Sequence, residues 1–142
     1  MKKTKLSSDI MFDFELFGLI CTEKEYKLAW IINQVLKVRL IKQNDLEIDF
    51  IGNKKLVISN FLSETENTSI RLLKNKSILS EGNDMIYLLP EQANFDYFIL
   101  ARGYEEQYNK DHIRSAFQSI RQISFMQRLD MNKIKSKHNL LF

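Results

Sequence analysis

The chain has 142 residues, with 21 Lys and Arg against 18 Asp and Glu for a formal net charge of +3, an apolar fraction of 44% and a single cysteine. This length fits one domain, which at such a size buries roughly two-thirds of its unfolded surface, and the balanced composition excludes a disordered or low-complexity chain. The lone Cys21 excludes an internal disulfide and suits a reducing cytoplasm. No transmembrane run is visible, and Asp9, Asp13 and Glu15 interrupt the apolar stretch that a signal peptide would need after the basic Met1-Lys2-Lys3-Thr4-Lys5. The expectation is one cytoplasmic domain over residues 1–142, with a flexible tail at 1–10 and a basic strap with an apolar end at 130–142.

From Phe12 the pattern alternates, Phe12, Phe14 and Leu16 against Asp13 and Glu15, which predicts a strand to about Ile20 with one face in water. Thr22-Glu23-Lys24-Glu25 reads as a capping box. The helix it opens carries Leu28, Ile31, Ile32, Val35 and Leu36 on a wide apolar face, with Tyr26 and Trp30 one turn apart on its flank. Trp30 is expected to be mostly buried there. Leu46, Ile48 and Phe50 alternate with Glu47 and Asp49 as a second strand, and Gly52-Asn53 suits a tight hairpin turn into a third at Leu56 to Leu62. Thr68 to Leu73 reads as a fourth strand, Lys74 to Asn83 as a loop, and Met85 to Leu89 as a short fifth strand.

The only proline, Pro90, ends that strand and opens a loop at Glu91 to Asn94. Phe95 to Arg102, rich in aromatic and β-branched residues, then reads as a strand central in its sheet and closing at Gly103. Ile113, Ala116, Phe117 and Ile120 mark a second helix capped by Asn109, ending near Gln122. Residues 122–129 fit either helix or strand, because Arg114, Arg121 and Arg128 recur every seven residues. A strand is favoured, since a continued helix would leave Phe125 off the apolar face. The order β-α-β-β-β-β-β-α-β predicts an α+β fold: a two-layer domain, an antiparallel sheet of five or six strands with two helices on one face.

Leu89-Pro90-Glu91, three residues, then Phe95-Asp96-Tyr97 resembles the signature that names the IPExxxVDY family, small proteins of Bacteroidetes-type bacteria with no established activity. Leu89 stands where the family name has isoleucine and Phe95 where it has valine, both apolar for apolar. The opening Phe12-Asp13-Phe14-Glu15-Leu16, the Tyr26-to-Trp30 helix and the closing Lys135-Ser136-Lys137-His138-Asn139-Leu140-Leu141-Phe142 are similar in kind to that family's ends. The resemblance implies no catalytic residues, substrate or cofactor.

Three side chains are candidates for catalysis. Glu91 and Asp96 would form an acid–base pair if their loop folds back, and Cys21 precedes a helix N-terminus, where the dipole lowers a thiol's pKa. Structural roles outweigh these: Glu91 on loop backbone N–H groups, Asp96 paired with Arg71 or Arg102, and Cys21 as a buried small apolar residue. The two histidines, His112 and His138, lie far apart with no cysteine pair, so neither a metal nor a cofactor is expected. From His112 onward six bases (Arg114, Arg121, Arg128, Lys133, Lys135, Lys137) face one acid, Asp130, a net of +5 that leaves −2 for the rest. Such an end suits an acidic partner, RNA or an acidic protein. The apolar Leu140-Leu141-Phe142 is expected to dock on its own domain in preference to a second copy. The leading reading is a non-catalytic binding or scaffold module, open to homodimerisation. The alternatives are an enzyme using Glu91, Asp96 or Cys21, and a weak RNA or acidic-protein binder.

Overall fold

The structure, a computed structural model, describes residues 14–50, 54–79, 85–103 and 110–141. The elements are β1 (Glu15–Cys21), α1 (Glu25–Leu36), β2 (Ile41–Lys42), β3 (Leu46–Phe50), β4 (Lys54–Ile58), β5 (Asn60–Glu64), β6 (Ser69–Lys74), β7 (Tyr97–Arg102), α2 (Lys110–Gln118) and β8 (Ile123–Leu129). Six strands form one antiparallel sheet in the order β2-β5-β6-β7-β1-β8, while β3 and β4 pair as a separate hairpin. The domain is α+β as expected. β7 is central, with Tyr97 to Ala101 all buried, and residues 123–129 are the edge strand β8.

Both faces of the sheet are covered. On the first, α1 and α2 contribute Leu28, Ile31, Ile32, Ile113 and Phe117 against Phe17, Leu19, Ile70, Leu72, Tyr97 and Ile99. On the second, the β3–β4 hairpin, the segment from Ile86 to Phe95 and the C-terminal residues Ile134 and Leu140 pack on Leu16, Leu73, Phe98 and Leu100. β1 is therefore dry on both sides rather than wet on one, and Glu15, at its end, pairs with Arg128 at 3.3 Å. A helix layer and an irregular layer thus enclose the sheet, and the central strands read as nearly continuous apolar runs for that reason.

Several local expectations are corrected. The predicted third strand is two: β4 and β5 part at Ser59, and β4 swings out to cover the second face. Ser77 holds it there, its hydroxyl accepting from Val57 N at 2.9 Å while Ile78 N donates to Val57 O at 2.8 Å. Met85 to Leu89 forms no strand beyond one bridge, Lys76 to Tyr87. Pro90 begins a 3-10 turn, Pro90–Gln92, instead of an open loop. The two-residue strand β2 has no counterpart in the predicted order. The Gly52-Asn53 turn, the Asn109 cap and the 1–10 tail lie outside the described residues.

The helix start and the tryptophan are corrected as well. α1 has Lys24 as its N-cap with no side-chain bond, so Thr22 and Glu25 form no capping box; the chain there is fixed by bonds to β7 instead. Leu28, Ala29, Ile31 and Ile32 are buried, whereas Trp30 is 62% exposed and Tyr26 64%. Successive helical residues lie about 100° apart, so a residue midway between Leu28 and Ile32 points away from the sheet. Val35 is also exposed.

Gly103 closes β7 at φ 85°, and a Cβ there would lie 2.2 Å from the Asn67 carbonyl oxygen. Because that oxygen belongs to backbone, it has no rotamer to escape into. Gly103→Ala should cost about 1–3 kcal/mol in a denaturant melt; a midpoint equal to wild type would show that the turn tolerates a side chain.

Candidate functional site

The signature segment is organised by a residue outside it. Asn75, directly after β6, is fully buried, and its side chain spans a loop with little secondary structure of its own. Its Nδ2 donates to the carbonyls of Gln92 and Phe95, both at 2.9 Å, while its Oδ1 accepts Leu89 N at 3.0 Å. The Asn75 backbone N donates to Asp96 O at 2.9 Å and its carbonyl accepts Leu88 N at 2.7 Å. Every donor and acceptor of this buried residue is thus engaged, as burial demands.

The six signature residues then take positions on that frame. Leu89 and Phe95 are buried in the second core cluster. The Phe95 ring covers Gly18 of β1, where a Cβ would come within 2.7 Å of it, and stacks on Phe125 of β8 with centroids 6.4 Å apart and an interplanar angle of 15°. Glu91 accepts hydrogen bonds from the Ser136 backbone N, at 3.2 Å, and from the Ser136 hydroxyl, so it ties down the C-terminal segment. Asp96 Oδ2 accepts Cys21 N at 2.9 Å, and the Tyr97 hydroxyl donates to the Glu23 carbonyl. These last two bonds set the turn between β1 and α1.

Two of the three nominated catalytic residues therefore meet, but not as chemistry requires. Cys21 and Asp96 line a cleft of about 400 Å³ with Thr22, Glu23, Lys74, Lys76, Tyr87, Ala93, Phe95 and Tyr97. Asp96 holds the Cys21 backbone rather than its thiol. The thiol is buried, and burial pushes its pKa up, with the Glu23 and Asp96 charges adding to the rise and a Glu23 backbone hydrogen bond opposing it. That is the reverse of an activated nucleophile. Burial, followed by Glu25 and its neighbours, likewise pushes Tyr97 well above its ordinary value. Glu91 works on the C-terminal segment, so no acid–base pair is assembled with Asp96. The expected partners of both carboxylates are also corrected: Asp96 bonds Cys21 instead of Arg71 or Arg102, and Glu91 reaches 45 residues along the chain instead of its own loop.

The basic C-terminal segment is exposed at Arg114, Arg121, Arg128, Lys133 and Lys135, with Lys137 half-buried. Arg114 and Arg128 share a cleft with Glu15 and Asp130, so two acids balance two bases there. The strap docks on its own domain: Leu140 is buried in the second cluster, and Asn139 Nδ2 donates to Leu88 O at 2.8 Å. Leu141 is 37% exposed. Among the described residues no group of three His, Cys, Asp or Glu side chains is placed to hold a metal, and no helix is long and apolar enough to cross a membrane. Sequence reasoning missed Asn75 and Gly18. A glycine inside a strand does signal close approach by another group, whereas a single asparagine after a strand carries no mark that separates it from a loop residue.

Asn75→Ala would remove the partner of the Leu89 amide and of the Phe95 carbonyl and one of two donors to the Gln92 carbonyl, which keeps Phe95 N, and about 3 kcal/mol or more of stability should go with them. Asn75→Asp, which keeps the acceptor but removes both donors, should also destabilise; a melt showing either variant at wild-type stability would refute the assignment. A pH dependence follows from Cys21 and Tyr97. Both have folded pKa values raised above the unfolded ones, so each stays protonated in the folded chain while the unfolded chain ionises. Stability is then intact below pH 9 and falls as the pH rises through the ordinary values of 9.0 and 10.0. Cys21→Ala should flatten the first part of that fall in melts between pH 8 and 10; an unchanged curve would place the thiol in water. No family model, no curated protein and no solved structure matches the chain, so its functional reading rests on this geometry.

Proposed function

We propose that the chain is a non-catalytic binding module and a divergent member of the IPExxxVDY family, acting in a reducing cytoplasm. One observation carries the reading: each reactive side chain nominated from the sequence serves the architecture. Asp96 fixes the β1–α1 turn, Glu91 fixes the C-terminal strap, and the Cys21 thiol is buried with its pKa raised. The family reading rests on the Leu89-Pro90-Glu91 and Phe95-Asp96-Tyr97 motif itself.

The outer face of α1 supports binding. Tyr26 and Trp30, one turn apart, stand in solvent beside the exposed Lys27, Gln34 and Lys37. Large exposed aromatics on a rigid helix are the residue types that anchor protein interfaces, although isolated exposed apolar residues are also ordinary surface. Tyr26→Ala and Trp30→Ala should each leave stability within about 0.5 kcal/mol of wild type, as surface substitutions do. Affinity capture from the cells that make the protein decides the role: species retained by wild type and by Cys21→Ala but lost from Tyr26→Ala/Trp30→Ala are the expected result. A Cys21→Ala variant that alone loses its cellular effect, with the α1 variants intact, would contradict the reading and restore the enzyme alternative.

A further inference from the structure

The antiparallel sheet ends in two edges of different kinds. At one end β2 is two residues long, and its Lys42 lies 5.7 Å from the centre of the Phe61 ring and pairs with Asp45 at 2.6 Å. A short edge that carries a lysine is a guarded one. At the other end β8 runs for seven residues, Ile123–Leu129, with no proline, no lysine and no acid. Among the described residues it has a neighbour on its β1 side only, and its single charge, Arg128, is engaged with Glu15 at 3.3 Å. Its one irregularity, a register shift opposite Ile20 and Cys21, lies at its beginning, and Phe125 to Leu129 pair with β1 without interruption.

The main-chain groups that open on this edge follow from the bonds of β1. The Leu19 carbonyl accepts from Asp96 N on the β7 side at 2.8 Å, whereas the Ile20 carbonyl accepts the Ser124 hydroxyl on the β8 side at 3.0 Å. Because main-chain groups alternate in direction along a strand, Leu16 and Gly18 also face β8. Their register partners Leu129 and Gln127, with Phe125 opposite Ile20, therefore face β1. The amides and carbonyls of Met126 and Arg128 then point outward, away from every described strand. The side chains alternate as well: Met126 packs on the helix-side core, while Phe125 and Leu129 lie on the other face, Phe125 exposed and Leu129 half-buried.

We propose that β8 pairs antiparallel with β8 of a second copy of this chain, about a two-fold axis at Gln127, joining two sheets edge to edge. The choice of occupant rests on self-complementarity. In this register Met126 lies opposite Arg128 of the second copy, so the outward main-chain groups of each satisfy those of the other. On one face Phe125 meets Leu129 of the second copy, apolar against apolar, and Gln127 meets its own equivalent, where the two side-chain amides bond each other. An axis at Arg128 would set two like charges opposite, which destabilises a strand pair, and an axis at Met126 would bring Phe125 against Gln127. Two-fold pairing of one patch with itself is also the commonest geometry of association. Edges of this length bury less than the roughly 1,200 Å² of a standard interface, so the dimer is a weak and reversible one. It stands or falls independently of the α1 face.

Sedimentation equilibrium of the full chain should show monomer at about 1 μM and a substantial dimer fraction at about 1 mM. Gln127→Lys sets two like charges across the axis and should weaken association about tenfold or more, as should Gln127→Glu. An equimolar mixture of the two variants should associate at least as strongly as wild type. Equal melting temperatures at the dilute end separate lost pairing from lost fold. In the wild type, hydrogen exchange followed by NMR should slow at the Met126 and Arg128 amides as the concentration rises and stay constant at Phe125 and Gln127. The proposal is overturned by a wild type that remains monomeric at about 1 mM, by a dimer that Gln127→Lys leaves intact, or by variants that mixing fails to reunite. Met126 and Arg128 amides equally protected at every concentration would show that the edge is covered within the chain, which overturns it too.

Discussion

The buried amide of Asn75 lets the segment from Leu88 to Asp96 cross the second face of the sheet, and most of the molecule's particulars follow from that crossing. A loop covered by protein must pair its backbone groups or lose several kcal/mol to desolvation. Asn75 supplies that pairing from one side chain, two carbonyls and one amide at once, while its own main chain continues the pattern. With the loop held, Leu88, Leu89 and Phe95 become core residues, and Asp96 and Tyr97 enter β7 at the right height to catch the β1–α1 turn.

The functional reading grows from the same constraint. Reactive residue types close together in sequence suggest chemistry, but here each is drawn to a separate structural task. Asp96 works 75 residues away, Tyr97 74 residues away and Glu91 45 residues away. The segment is a clasp joining the start of α1, the end of β6 and the C-terminal strap. The outer face of α1, where Tyr26 and Trp30 stand exposed, takes no part in that clasp.

Much of the fold was legible because it is written in local patterns. The aromatic run from Phe95 to Leu100 marked the central strand, Phe125 argued for a strand over a longer helix, and the 3.6-residue spacing of Leu28, Ile31 and Ile32 marked the buried face of α1. Illegible were features decided by distant partners. The break at Ser59 exists because β4 is needed over the second face and is caught there by Ser77. Glu15 looked like a solvent-facing acid because nothing local announces Arg128. Trp30, expected to be buried on the flank of the apolar face, is exposed because its helical angle relative to Leu28 and Ile32 carries it to the opposite side. The pair expected among the candidate residues, Glu91 with Asp96, does not form, and the meeting of Asp96 with the Cys21 backbone was not legible, since nothing in the spacing brings residues 75 apart together.

The most direct test of a structural role for the nominated residues is the rate at which Cys21, the single cysteine, is alkylated by iodoacetamide at pH 7.5 in the native and the urea-unfolded chain. A buried thiol with a raised pKa should react at least about tenfold more slowly when folded. A native thiol reacting faster than the unfolded one would reveal an activated nucleophile and contradict the account.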